Sequence, residues 1–179
     1  MRTMLWLGGS SFLLAVMACA TGGPPPPPAI ALPTVPAEIQ APPDVVPVSK
    51  LAASGTQNYR CEPTDTGTAW KLVAPAADLS DGTAVVVKHG AGPSWTHNDG
   101  SALVGDGKSA KKVPAPDGTS IPWLLIPATP NGQPGAFAGV VFVQRIDTQG
   151  GAAPAGGCTL GQEIQVNYTA NYVFYRKKA

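Results

Sequence analysis

Toward the C-terminus the chain alternates strictly. Ile164, Val166, Tyr168, Ala170, Tyr172 and Phe174 fall on one side, and Glu163, Gln165, Asn167, Thr169 and Asn171 on the other. A period of two belongs to a strand with one buried face, so the pattern predicts one strand here, or two meeting at a bend. Runs rich in β-branched and aromatic residues at 58–61, 70–73, 83–89, 121–126 and 136–146 predict further strands. The last is apolar enough on both faces to be central in a sheet. Asp81-Gly82, Asp99-Gly100, Asp117-Gly118, Asn131-Gly132 and Gly150-Gly151 punctuate these runs as turns. Short strands separated in this way predict an all-β fold, an antiparallel β-sandwich or barrel with Gly/Pro-rich loops. Only residues 75–79 read as a helical turn.

The N-terminal third has a different character. Met1-Arg2 precedes a largely apolar stretch, residues 4–18, too short for a stable transmembrane helix and of the form of a secretory signal. Its end, Val16-Met17-Ala18-Cys19, resembles the lipobox of bacterial lipoproteins. That resemblance implies cleavage before Cys19, its acylation, and a lipid anchor in the bacterial outer membrane facing the periplasm or the cell surface. Ordinary cleavage after Ala20, giving a secreted protein, is the alternative. Five consecutive prolines, Pro24 to Pro28, and Pro33, Pro36, Pro42, Pro43 and Pro47 follow. Such density predicts an extended tether over residues 19–53, with the folded domain at 54–179.

Composition narrows the function. Setting the leader's Arg2 aside leaves 11 basic residues against 11 acidic ones, a balance that argues against a nucleic-acid partner. With Cys19 removed from the count, Cys61 and Cys158 remain, and in an oxidising compartment they are expected to pair as a disulfide. Free thiols or half a metal site are the alternatives, and no C-x-x-C spacing favours zinc.

Candidate chemistry is sparse. Residues 102–109 imitate a phosphate-binding loop, but the sequence Val113-Pro114-Ala115-Pro116 follows where a helix would have to start. The segment reads as a solvent loop, with no nucleotide or other cofactor expected. His89, His97 and Asp99 could offer a metal two nitrogens and an oxygen, which makes a metal-dependent enzyme the alternative function. Trp95 and Trp123, with Tyr59, Tyr168 and Tyr172, could line a sugar- or lipid-binding face, or simply form the core. Glu62, Asp78, Asp81, Asp99, Asp147 and Glu163 lie at scattered spacings, and no serine sits in a nucleophile elbow.

Taken together, Tyr59-x-Cys61, Trp70-x4-Pro75, His89-x2-Gly92-Pro93-x-Trp95-x3-Asp99-Gly100-Ser101, Ile121-Pro122-Trp123, Gln144-Arg145-x2-Thr148-x-Gly150-Gly151, Cys158 and Tyr168-Thr169-Ala170-x-Tyr172 form a pattern. It resembles the domain of unknown function family numbered 3455, found in exported bacterial and fungal proteins. The resemblance implies an exported β domain and brings no established activity. Some fungal relatives carry a malate dehydrogenase label, but this sequence has no βαβ unit to hold a nicotinamide. Gly90 departs from the pattern, which has an aromatic residue after the histidine. The expectation is therefore a non-catalytic binding or envelope-associated module. It would meet a glycan or an envelope protein through His89, Trp95, His97, Asp99, Ser101 and Trp123. A purely structural envelope protein is the remaining alternative.

Overall fold

The computed structural model describes residues 29–178. The leader, Cys19 and the five-proline run lie outside the described residues. Nine strands follow in chain order: β1 (Val45–Thr64), β2 (Gly67–Ser80), β3 (Val85–Gly90), β4 (Ser94–His97), β5 (Ala102–Gly105), β6 (Lys111–Val113), β7 (Trp123–Pro130), β8 (Val140–Gly150) and β9 (Glu163–Lys177). Every pairing is antiparallel. The order β5-β4-β3-β2-β1-β9-β8-β7-β6 is closed by a further pairing of β5 with β7. Pro130 to Ala128 of β7 meet β5, while Leu125 to Trp123 of the same edge meet β6. All strands but β6 thus form a ring of eight, an up-and-down meander barrel, which resolves the sandwich-or-barrel expectation.

Alternation along the strands sorts the side chains into two clusters. Leu79, Val87, Trp95, Leu103, Val143 and Phe174 belong to the cluster inside the ring. Trp123, Leu125, Ile146, Val173 and Tyr175 belong to a second one on the outer face of β7, β8 and β9. The latter is covered from the N-terminal side by Val35, Ile39, Ala41 and Val45. Ile39, on a 3₁₀ turn at Ala37–Ile39, is 0% exposed. Burying an aliphatic side chain fully is worth about 1.5–3 kcal/mol, so the segment that covers β7–β9 is held by its own apolar contacts.

Four expectations are corrected here. The tether does not run to residue 53: β1 begins at Val45 and the chain before it packs on the outer cluster. Proline density misled because Pro47 occupies a permitted place. β1 pairs with β2 only from Ala52 onward, so Pro47 faces one partner strand, β9, beside a register irregularity. Residues 75–79 are extended in β2, not helical, because their backbone pairs with β1 at Gln57 to Ala53. Residues 102–109 are not wholly a solvent loop: Ala102–Gly105 is β5, with Leu103 fully buried. The strand expected from residue 136 starts at Val140, after a turn.

Antiparallel pairing places the β1–β2, β3–β4 and β8–β9 connections, and the long β5–β7 excursion, at one end of the barrel. The β2–β3, β4–β5 and β7–β8 turns lie at the other. The Cys61–Cys158 disulfide forms at the first end, with its α-carbons 5.8 Å apart, tying β1 to the β8–β9 loop. Tyr59 Oη donates to the Gly151 carbonyl at 2.7 Å, fastening that loop to β1, and Thr148 Oγ1 of β8 donates to the Ile121 carbonyl at 2.7 Å, fastening the segment before β7.

Candidate functional site

The β3–β4 hairpin and the turn after it carry five of the six sequence-derived candidates, and the structure divides them between the two ends of the barrel. His89 and Trp95 are cross-strand partners near the hairpin tip. Both point inward, 5% and 1% exposed, with their rings stacked at 4.7 Å and 2°. The Tyr172 ring meets both edge-on. Room for the indole comes from Gly105: a β-carbon there would stand 3.1 Å from Trp95 Cζ3 and 2.8 Å from Ile126 Cδ1. His89 Nδ1 lies 2.8 Å from the Ser94 carbonyl. A carbonyl only accepts, so Nδ1 carries the proton and Nε2 keeps a lone pair. Burial is the main reason that the imidazole's pKa falls to about 4.

His97, Asp99 and Ser101 belong to the opposite end. Asp99 accepts from the Ser101 hydroxyl at 2.6 Å, from the Ala136 N–H at 2.7 Å and from the Ser101 N–H at 2.8 Å. These bonds, the Ser101 hydroxyl foremost, hold its carboxyl well below the usual range. His97 Nδ1 stands 3.0 Å from Asp99 Oδ1, and its ring packs on Phe137. Ser101 is wholly buried and also accepts from the Phe137 N–H. Serine, aspartate and histidine meet here, but the carboxylate sits between the other two and the hydroxyl donates to it. No base addresses the serine, so the group pins the β7–β8 turn and is not a nucleophilic triad. His89 lies at the other end of the barrel from His97 and Asp99, so the three do not converge as the alternative metal site would need. Among the described residues no three His, Cys, Asp or Glu side chains gather as a metal site.

Trp123 belongs to neither group. It lies in the outer cluster, 9% exposed, so the shared Trp95–Trp123 binding face is corrected: strand alternation sends the two indoles to opposite sides of the barrel wall. Trp95 is itself interior, stacked on His89, and presents no face to the outside of the barrel.

At the first end the barrel instead opens into a pocket of about 440 Å³, within the range for small-molecule sites. Its inner wall is the His89–Trp95 pair with Tyr172; Ile121, Pro122 and Leu124 form one side, and Leu72 to Pro75 the other. The opening exists because β3 pairs with β2 only from Ala77 to Ser80, leaving the preceding part of β2 free of a second neighbour. Leu72 and Val73, at this rim, are among the exposed large apolar residues.

Sequence reading missed three polar members of this pocket: Gln57, Arg145 and Lys112. Gln57 is 1% exposed, and its Nε2 has no hydrogen-bond partner among the described residues. The nearby Tyr168 hydroxyl lies 3.2 Å from that of Tyr172. Trp95 Nε1 is likewise unpartnered, as is Trp123 Nε1 in the outer cluster. Arg145 donates through Nε and Nη2 to the Pro122 carbonyl, at 3.2 and 2.8 Å. The available signal was an arginine, beside Gln144, on the largely apolar run 136–146, where a charge points inward only if it is needed there.

No curated protein and no solved structure matches this chain. A family model described as "Protein of unknown function (DUF3455)" matches residues 42–89 and 82–176, from just before β1 almost to the end of β9. The match takes in the pocket, the disulfide and the Asp99 cluster, and on that span the chain belongs to this family.

Proposed function

We propose that this chain is an exported, lipid-anchored module without catalytic chemistry of its own, which takes a small molecule into the open end of its barrel. The observation that carries the reading is the pocket above the His89–Trp95 pair. Eight-stranded barrels are either filled by side chains or wide enough for one small ligand, and here one end is packed while the other holds about 440 Å³ of space. The polar groups at the packed end are satisfied by one another, so they have little left to offer a substrate. The lipobox-like Cys19 supports an anchor in the outer membrane, and the proline-rich stretch supports a spacer. A glycan or an envelope protein is a second occupant to test, with Leu72 and Val73 at the rim as its first contacts.

Two experiments decide. Tryptophan fluorescence of the full chain in detergent, titrated with small amphiphiles and oligosaccharides, is expected to change for the amphiphiles, and the change to vanish in Trp95→Phe. Silence throughout the panel would overturn the pocket as a binding site. Cys19→Ser is expected to move the protein from the membrane to the soluble fraction, and unchanged partitioning would refute the anchor.

A further inference from the structure

The chemistry of the pocket narrows its ligand, on the reading that the pocket is the binding site. Its charged lining residues are Arg145 and Lys112, both cationic, and no aspartate or glutamate lines it. The bonds to Pro122 use Nε and Nη2 of a guanidinium that has five N–H donors, and Nη1 has no protein partner among the described residues. The rest of the wall is apolar and aromatic: His89, Trp95, Tyr172, Leu124 and Ile126.

We infer that the pocket binds a small amphipathic carboxylate, its acid group held by Arg145 and its compact apolar body lying against the aromatic wall. Arginine suits the role because its planar fork offers a carboxylate two parallel hydrogen bonds. Lys112 at the rim, exposed to water, adds a screened attraction. A cationic guest meets two like charges and no carboxylate to offset them.

The test is calorimetric titration of the full chain with three matched probes: 1-naphthoate, 1-naphthalenemethanol and 1-naphthylmethylamine. The acid is expected to bind tighter than the alcohol by about tenfold, the worth of one charge-assisted hydrogen bond, and the amine not at all. Arg145→Gln is expected to bring the acid down to the alcohol's affinity and leave the alcohol unchanged. Arg145→Lys should restore part of the difference. Lys112→Gln, at an exposed position where folding is not at issue, is expected to weaken the acid only about two- to threefold at low salt. If acid, alcohol and amine bind equally, the preference for an anion is overturned while the pocket stands. If the acid binds the Arg145→Gln protein undiminished, Arg145 is not its partner. If none of the three binds, the pocket reading falls as well.

Discussion

The side-chain amide of Gln144 donates to the backbone carbonyl of Ile39 at 2.7 Å, joining β8 to a segment more than a hundred residues earlier. Gln144 Oε1 accepts from the Tyr175 hydroxyl at 2.8 Å, so a buried amide, satisfied on both sides, fixes the entering chain against β9. Residues that read as spacer therefore belong to the folded unit. Ile39→Ala is expected to cost about 2–5 kcal/mol, the range for emptying a buried aliphatic site, measured by chemical denaturation. A chain truncated before residue 54 is expected to lose the dispersed amide spectrum of the folded state.

Stability should depend on acidity through His89. Its folded pKa, about 4 because of burial, lies below the ordinary value near 6.5. Between these values the unfolded chain binds the extra proton and the native one does not. Stability is therefore complete above pH 6.5 and falls as the pH drops toward 4, by about 3 kcal/mol over the window. Asp99 and Asp81, whose pKa values are lowered by hydrogen bonds, add losses only at still lower pH. Denaturant midpoints at pH 7 and pH 5 are expected to differ in the native protein and to converge in His89→Phe.

Covalent closure of a 97-residue separation between Cys61 and Cys158 is worth about 4–5 kcal/mol in the chain-entropy treatment. Reduction, or Cys158→Ala, is expected to lower the denaturation midpoint accordingly. Mass spectrometry of oxidised and reduced protein, differing by two hydrogens, checks that the bond is the one broken.

Gly151 sits at positive φ, 80°, and a β-carbon there would lie 2.8 Å from Tyr168 Cβ and 3.2 Å from Gln57 Cγ. The Gly151 carbonyl also holds Tyr59. Gly151→Ala is expected to cost about 2–4 kcal/mol from backbone strain and crowding together, and to shift Trp95 emission because the pocket end is disturbed. Gly118→Ala, at similar φ but in open space, isolates the backbone part of that cost.

How much of this was legible in sequence depended on whether a residue's neighbours were local. Strand β9 announced itself because half-buried pairing imposes a period of two on adjacent residues. The all-β character and the Cys61–Cys158 pair followed from equally simple rules. Strand β4 escaped: only four residues long and flanked by Gly92-Pro93 and Asp99-Gly100, it is held by partners on both sides and has no pattern of its own. The start of β1 was hidden by prolines whose tolerance depends on which edge is unpaired. The candidate site was half visible. His89 and Trp95 were singled out, but Gln57, Lys112 and Arg145 join them through closure of the ring, a long-range event with no signature in spacing. His97, Asp99 and Ser101 were grouped with His89 because they are near in sequence, although β4, short as it is, carries the chain from one end of the barrel to the other.

The seam between β1 and β9, running from Val45 opposite Lys177 to Arg60 opposite Glu163, has a temporal consequence. It joins the first of the described strands to the last, so a polypeptide emerging N-terminus first can zip its hairpins one by one yet stays an open ribbon until β9 appears. Contacts so distant along the chain make assembly slow, and throughout that interval both borders of the unfinished sheet stay available to any neighbour able to lend a strand.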